Sequence, residues 1–177
     1  MAKIISSHNS KLLKSENEME AKGCNCRNKD ECPLRGNCLV ENVVYQATLT
    51  PSPDPAGETP VPLDREPQTY VGLASTSFKD RHRNHKKSLK WEKHSNETRL
   101  SSYSWELNKK NIKHSVTWKV IDRGQQFSPV SGLCSLCTTE KYYIIFKPEM
   151  SSLNSREEIF GHCLHKKTKL LDKIDKT

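Results

Sequence analysis

The distribution of cysteines is the feature of this sequence that most constrains its fold. Four of the seven cysteines lie in the segment CNCRNKDECPLRGNC, at Cys24, Cys26, Cys32 and Cys38. The segment has almost no apolar side chains, so burial alone cannot fold it, and a bound metal would supply the missing free energy. Four thiolates can close a tetrahedral zinc shell. The alternative is that these cysteines are reduced and unliganded.

The other three cysteines form a second, split group. Cys134 and Cys137 are spaced C-x-x-C, and Cys163 follows with His165 as a C-x-H pair. Together they make a Cys₃His set of the kind that holds structural zinc, although His162 can replace His165 as the fourth ligand. Every cysteine is then assigned, which predicts two zinc ions. The alternative is two unrelated pairs of small buried residues.

The charge of the chain indicates its class of partner. Lysine and arginine total 29 against 21 aspartates and glutamates, a net charge of +8 in 177 residues. An excess of this size favours an anionic partner, of which nucleic acid is the most common. The alternative is a basic surface that only keeps the protein soluble. Hydrophobic residues make up 33% of the chain, which predicts one modest core with polar ends.

The chain shows no signal for a membrane or for secretion. No apolar run approaches the roughly 20 residues that a membrane span needs. The start, MAKIISSHNSKLLK, lacks the apolar region of a secretory signal. We therefore expect an intracellular protein with no membrane partner. In a reducing compartment, clustered cysteines are more often metal ligands than disulfides.

The order of the elements predicts a small α+β domain behind a cysteine-rich module. Strands are predicted at 43–50, 68–74 and 115–121, and helices from Ser77, at 97–110, at 135–147 and from Ser155. The proline-rich residues 51–67 predict a long loop joining the first two strands as an antiparallel hairpin. We expect a three-stranded antiparallel sheet flanked by helices. The predicted divisions are a flexible arm (1–22), a zinc-binding module (23–39), a main domain containing the second zinc site (40–166) and a basic tail (167–177).

One acidic residue lies inside an apolar helical stripe. At 100° per residue, Glu140 falls at the centre of the face formed by Leu136, Cys137, Tyr143, Ile144 and Lys147. A carboxylate there is costly unless a cation or strong donors meet it. One interpretation is a buried salt bridge to an arginine or lysine. The other is a ligand for Mg²⁺, a hard ion that prefers oxygen.

Six polar or aromatic residues occur at intervals along the predicted strands, helices and loops. They are Tyr45 in VVY, Tyr70 in YVG, Arg81 and His85 in the helix after it, Glu140 in EKYYII, and Asn154 in SSLNSR. This order resembles the GIY-YIG endonuclease domain over roughly residues 40–160. Within that family the chain is most similar to the endonuclease of Penelope-like retroelements, whose extra cysteines look like CPLRGNC, CSLC and CLH. Val43 replaces the glycine of GIY, and the gap between the two tyrosines is longer than usual.

The resemblance implies a fold, an activity and a role for each residue. It implies a GIY-YIG-like fold and a retrotransposon-derived DNA endonuclease that nicks DNA in the nucleus, with a reverse transcriptase or element RNA as further partners. Glu140 would hold catalytic Mg²⁺ or Mn²⁺, and Arg81 would hold the attacked phosphate. Tyr45 would act on the attacking water as general base or positioner, with Tyr70 and His85 as helpers, and Asn154 would orient the site. The alternative is a zinc-stabilised nucleic-acid-binding module without catalytic activity.

Two basic segments complete the predicted DNA surface. They are HRNHKKSLKWEKH, residues 82–94, and the tail at 166–176. Their lysines and arginines would contact phosphates and hold DNA without reading its sequence. Trp91, within the first segment, could stack or pack. The alternative for these lysines is an ordinary solvated helix face.

Overall fold

The computed structural model describes residues 23–52 and 66–155, together with Cys163 and His165. The predicted arm at 1–22, most of the proline-rich loop, the predicted last helix, His162 and the basic tail lie outside the described residues. Within the described part, the α+β class and the three-stranded antiparallel sheet are confirmed. No helix there is long and apolar enough to cross a bilayer.

The sheet is built around a buried first strand. Its strands are β1 (Val43–Pro51), β2 (Gln68–Ala74) and β3 (His114–Arg123), in the spatial order β2-β1-β3. β1 is the central strand, because both of its neighbours hydrogen-bond to it. Its apolar sequence suits this place, since most of its residues are buried. Tyr45 lies opposite Gly72, and Ala47 lies opposite Tyr70, so the two tyrosines are close on one face of the hairpin.

In the described part of the chain, three α-helices and two short 3₁₀ helices surround the sheet. The α-helices are α1 (Phe78–Lys90), α2 (Arg99–Lys109) and α3 (Ser135–Phe146). The 3₁₀ helices are Glu92–Glu97 and Pro148–Met150. Ser77 caps α1 as predicted, since its side chain accepts a hydrogen bond from the Asp80 amide.

The second helix, predicted from about residue 97, is present as α2. The α-helix begins at Arg99 because Thr98 is extended and forms a reciprocal capping box with Ser101. The Ser101 side chain accepts from the Thr98 amide, while Thr98 Oγ1 accepts from the Ser101 amide at 3.1 Å. Sequence analysis missed the preceding 3₁₀ helix, which carries no apolar periodicity.

The helices pack on opposite faces of the sheet. Tyr45, Ala47 and Leu49 of β1 meet α1 and α2, whereas Val44 meets α3. The stripe predicted on α3 faces the sheet, since Leu136, Cys137 and Ile144 are buried. β2 is an edge strand, and beside its last residues Arg81 of α1 and Glu140 of α3 line one hollow.

The outer edge of β2 is covered by the chain that follows α3. The Thr69 amide donates to Ser152 Oγ at 2.8 Å, and the Leu153 amide donates to the Thr69 carbonyl at 2.9 Å. Asn154 bonds both backbone groups of Val71, accepting at 2.8 Å and donating at 2.9 Å. These contacts satisfy backbone groups that an edge strand would otherwise expose.

Gly124 should be intolerant of any side chain. A Cβ there would lie 2.5 Å from Leu136 Cα and 2.6 Å from its backbone nitrogen, where β3 meets the start of α3. Backbone cannot move aside as a flexible side chain can, so Gly124→Ala should lower the free energy of unfolding by about 2–3 kcal/mol. Denaturant unfolding measures this change. Gly23→Ala, whose Cβ would have its nearest neighbour at 4.0 Å, is the control. Equal stability of the two variants would contradict the packing described.

Candidate functional site

Tyr45 is the centre of a buried polar network. Its side chain is fully buried. Its hydroxyl accepts a hydrogen bond from Arg81 Nε at 2.9 Å and lies 2.7 Å from His85 Nε2. An arginine can only donate, so the hydroxyl keeps its own proton for the imidazole nitrogen. The order of donation therefore runs from Arg81 to Tyr45 to His85.

Helix α1 brings Arg81 and His85 to Tyr45 because the two residues are four apart. Side chains at this spacing lie on one helix face. Phe78 begins the same face and buries its ring 5.2 Å from the Tyr45 ring. The cap at Ser77 fixes where the helix begins, and so sets the rotation that turns this face toward β1.

Burial shifts the protonation equilibria of this network. Burial raises the pKa of Tyr45 well above its usual range, Tyr70 raises it further, and Arg81 opposes the shift. Burial, together with the charges of Arg81 and His82, lowers the pKa of His85 to about 3. At neutral pH the tyrosine is therefore protonated and His85 is uncharged, which leaves Arg81 as the charged member.

Tyr70 joins the network from β2. Its ring centroid lies 5.9 Å from that of His85, and its side chain is hydrogen-bonded to Arg81. Gly72 makes the close approach of the two tyrosines possible. A Cβ at this glycine would lie 2.6 Å from the Tyr45 hydroxyl and 3.1 Å from the Tyr70 ring. The glycine of YVG is thus required by side-chain packing.

Glu140 approaches the network around the edge of β2. It lines a hollow of about 290 Å³ together with Arg81, Asn84 and His165. It also lines a hollow of about 460 Å³ that reaches Tyr70, Arg99 and Asn154. Its charge raises the pKa of Tyr45 as the smallest of several causes, the largest being burial. We call these two adjoining hollows the cleft.

The donor set at Glu140 is compatible with a hydrated divalent cation. Among the described residues, Glu140 belongs to no group of three or more metal-ligating side chains. Mg²⁺ commonly takes one or two protein carboxylates and completes its shell with water and substrate phosphate. A half-buried carboxylate in the wall of a hollow suits this mode. It does not suit a closed cage formed by protein alone.

Asn154 lies beside the cleft but acts on the backbone. Its amide bonds both polar groups of Val71, the residue after Tyr70. It therefore anchors the chain after α3 to the strand that carries Tyr70. The structure brings together Tyr45, Tyr70, Arg81 and His85 in direct contact, with Glu140 and Asn154 at the same edge.

The first cysteine group is arranged for a metal ion. The sulfurs of Cys24, Cys26, Cys32 and Cys38 all lie within 4.8 Å of one another. The Cys38 sulfur is 3.4 Å from that of Cys24 and 3.6 Å from that of Cys26. Zinc–sulfur bonds of about 2.3 Å in a tetrahedron separate sulfurs by about 3.8 Å. These residues can bind zinc.

Backbone amides prepare Cys32 to be a thiolate. Burial alone would raise the pKa of Cys32, but hydrogen bonds from the Gly36 and Leu34 amides bring that pKa to about 6. Arg35 and Gly36 both have positive φ, 48° and 93°, which folds the turn back over the sulfur. Gly36 in the run CPLRGNC is the sequence feature that indicates this turn, since glycine readily adopts positive φ.

The second group ties the start of α3 to the chain beyond residue 160. His165 Nδ1 lies 3.3 Å from the sulfurs of both Cys134 and Cys137, and the Cys163 sulfur is 3.8 Å from that of Cys137. All four donor atoms fall within 4.8 Å of one another. The set Cys134, Cys137, Cys163 and His165 can therefore bind zinc. His165 also lines the cleft.

Sequence analysis missed Trp118, which forms one wall of the network. Its ring centroid is 5.0 Å from that of His85 and 5.9 Å from that of Tyr45. It comes from β3, on the same face as the two tyrosines. The signal was a large aromatic residue in the alternating strand SVTWKVI. An aromatic residue there is also ordinary for a strand, so the pattern could not single it out.

The predicted DNA-binding segment at 82–94 is largely exposed. Arg83, Lys86, Lys87 and Lys90 lie on the outer side of α1. Arg83 pairs with Asp80 at 2.9 Å. Trp91 is 53% exposed and packs under Lys90, whose Nζ lies 5.2 Å from the ring centroid.

The two cysteine groups predict the metal content of the purified protein. Elemental analysis of the full chain should give about two zinc ions per chain, because each of the two groups offers four ligand atoms. Cys26→Ser and Cys163→Ser should each lower the content to about one. Met150→Ser, outside both groups, should leave it unchanged. A folded preparation free of zinc would refute both sites.

The lowered pKa of His85 predicts how stability depends on pH. A histidine has a pKa near 6.5 when unfolded and about 3 here, so the unfolded chain binds the proton first as pH falls. Uncharged His85 therefore makes its full contribution to the free energy of unfolding above pH 6.5. This contribution is lost as pH falls toward 3. Between pH 7 and 5, the wild type should lose up to about 2 kcal/mol more unfolding free energy than His85→Gln. Urea unfolding at both pH values measures the difference, and identical pH slopes would contradict the prediction.

Comparison with known proteins leaves the interpretation to the geometry of the site itself. No protein-family model, curated protein or solved structure matches the chain.

Proposed function

We propose that the protein is a divalent-metal-dependent DNA endonuclease of the GIY-YIG type that nicks DNA and derives from a retrotransposon of the Penelope-like kind. One observation carries the proposal. Tyr45, Tyr70, Arg81 and His85, which are dispersed over 41 positions of the chain, form one contact network, and Glu140 reaches the same cleft from the other face of the sheet. The buried Tyr45 hydroxyl needs hydrogen-bond partners in any case, but that need does not account for Glu140 in the same hollow as Arg81.

Arg81 has the position that a phosphate-binding group needs. Its Nε is held by the Tyr45 hydroxyl, and the side chain lines the cleft. A guanidinium presents planar donors that match phosphate oxygens, and it stays charged at any physiological pH. Arg81 would bind the attacked phosphate and offset the negative charge that grows in the transition state.

Tyr45 and His85 would place and deprotonate the attacking water together. Tyr45 is protonated because burial raises its pKa, so it is a poor general base and a better positioning group. A water bound at the tyrosine oxygen can pass its proton there while the tyrosine proton moves to His85 Nε2. His85 Nε2 is the acceptor in that contact, but its pKa of about 3 makes it a weak base, so the negative charge of a phosphate bound at Arg81 must raise that pKa for the transfer to occur.

Glu140 would provide the carboxylate for Mg²⁺ or Mn²⁺. When bound, such an ion supplies a Lewis acid that stabilises the departing 3′ oxygen. The carboxylate lines the same hollow as Arg81, so a cation held by Glu140 and the Arg81 guanidinium would face one space. Asn154 would keep Tyr70 in place through the Val71 backbone.

The basic face of α1 supports DNA as the substrate. Its exposed Lys86, Lys87 and Lys90 lie on the helix that carries Arg81, and the chain has a net charge of +8. Phosphate contacts of this kind hold DNA independently of its sequence. A nuclear location and a reverse transcriptase or element RNA as partners belong to the same proposal.

A specific observation favours a second candidate, a zinc-stabilised nucleic-acid-binding module without catalysis. Tyr45 has no exposed surface, and its hydroxyl already contacts Arg81 and His85. A water molecule must therefore enter before the tyrosine can position it. The two cysteine groups and the basic charge serve either candidate equally, so a cleavage assay decides between them.

Removing the Glu140 carboxylate tests the proposal. Glu140→Gln keeps the side-chain shape but removes its charge, so nicking of supercoiled plasmid with Mg²⁺ or Mn²⁺ should fall about 100-fold or more. Glu106→Gln, an exposed position on α2, should cut like the wild type. DNA binding and zinc content of Glu140→Gln should not fall.

Two outcomes would exclude the endonuclease. The first is a wild type that binds DNA but leaves every plasmid, duplex and branched substrate intact with either metal. The second is a Glu140→Gln variant that cuts as fast as the wild type. DNA binding without cutting would support the non-catalytic module.

A further inference from the structure

The first cysteine group lies directly against the start of α1. The Cys38 carbonyl accepts a hydrogen bond from the Lys79 amide at 2.8 Å, and the Val40 carbonyl accepts one from the Phe78 amide at 2.8 Å. The first amides of a helix have no partners within the helix itself. Here the carbonyls of Cys38 and Val40 supply those partners, which joins the cysteine module to the helix backbone.

The Lys79 side chain adds a second link. Its Nζ donates to Asn25 Oδ1 at 2.6 Å and reaches the Asn25 carbonyl at 3.4 Å. Asn25 stands between Cys24 and Cys26, so the contact ends on the loop that joins two ligands. A hydrogen bond from an ammonium group is stronger than one between neutral groups.

Apolar packing continues from the module to the tyrosine. Leu34 and Val40 pack in the same cluster as Tyr45 and Phe78. Val40 is buried, and Leu34 is partly buried. The module therefore contacts the start of α1, the helix that carries Arg81, and also the apolar cluster around Tyr45 of β1. The distance between these two parts sets the length of the Arg81–Tyr45 hydrogen bond.

The shape of the module depends on its metal. Residues 24–38 contribute few apolar contacts, since Cys32 and Cys38 are the only buried hydrophobic side chains among them in the described chain. A segment of this composition folds when its ligands close around an ion. Without the ion, neither the Cys38 carbonyl nor Asn25 would stay in place for Lys79.

We infer that the zinc module of Cys24, Cys26, Cys32 and Cys38 is a positioning element of the cleft, which fixes the first turn of α1 and thereby Arg81 and His85. Lys79 is its positioning residue. It precedes Arg81 by two residues, so a displaced first turn carries the guanidinium away from the Tyr45 hydroxyl, now 2.9 Å from its Nε. Functional groups must be held within about 0.5 Å to act. The catalytic consequence rests on the proposed endonuclease function, whereas the structural coupling does not.

Hydrogen exchange tests the coupling independently of any activity. Cys26→Ser removes one ligand of the module, and Cys163→Ser removes one from the other group. In Cys26→Ser the amides of the first turns of α1, from Phe78 to His82, should exchange about tenfold faster or more. Without the contacts to the module, the free energy needed to open these turns locally is lower. Amides of α2 should be unchanged. In Cys163→Ser, these α1 amides should exchange at the wild-type rate. Faster exchange confined to residues 23–39 would overturn the inference.

A double-mutant cycle tests the link through Lys79 in the full chain. Lys79→Ala and Asn25→Ala should each speed exchange of the α1 amides about fivefold, and the double variant should add nothing further, since both remove one contact. Lys79→Arg, which keeps a charged donor, should restore most of the protection. Lys113→Ala, an exposed lysine before β3, is the matched control for loss of charge and should have no effect. Effects of Lys79→Ala and Asn25→Ala that simply add would overturn the link.

Kinetics then separate positioning from DNA contact. Positioning predicts that Lys79→Ala and Asn25→Ala lower kcat about five- to tenfold with little change in the Kd for DNA. If Lys79 only contacts phosphate, Lys79→Ala weakens DNA binding, Asn25→Ala behaves like the wild type, and the inference fails. If the wild type does not cut DNA at all, the proposed function fails, and the exchange data alone decide whether the module holds α1.

Discussion

The buried hydroxyl of Tyr45 is the constraint on which the rest of the structure depends. A phenolic oxygen enclosed in the core must be hydrogen-bonded, because an unpaired polar group there costs about 1–3 kcal/mol. Arg81 and His85 meet this need, and both come from α1. The helix can therefore pack on β1 in only one rotation. Gly72, Tyr70 and Trp118 then fill the space that remains around the three side chains.

Metal binding at the two cysteine groups would compensate for a lean core. The described hydrophobic clusters are small and are divided between the two faces of the sheet. One cysteine group lies at the start of α1 and the other at the start of α3, and side chains of both helices line the cleft. A small domain that cannot bury enough apolar surface gains stability from such ligand sets, since the binding free energy of the metal adds to that of folding.

The sequence predicted the features that depend on local pattern. Alternating apolar residues located the strands, Ser77 located the start of α1, and the spacing of cysteines grouped both ligand sets. It could not predict features that depend on three-dimensional packing. Trp118 enters the network only because β3 pairs with β1, and the module reaches α1 in part through carbonyls that have no sequence signature. Asn154 was predicted from its place in the order, but its bonds to the Val71 backbone required the fold.

The covering of β2 also determines how a macromolecular partner can approach. From Thr69 to Val71, the outward backbone groups of this strand already bond to residues 152–154. A strand from another chain cannot extend the sheet across this stretch unless it displaces them. A partner at the cleft would instead meet the side chains that line it, such as Arg81 and Glu140. Under the proposed function, a DNA phosphate would meet Arg81 and a cation held by Glu140, and no added strand would be needed.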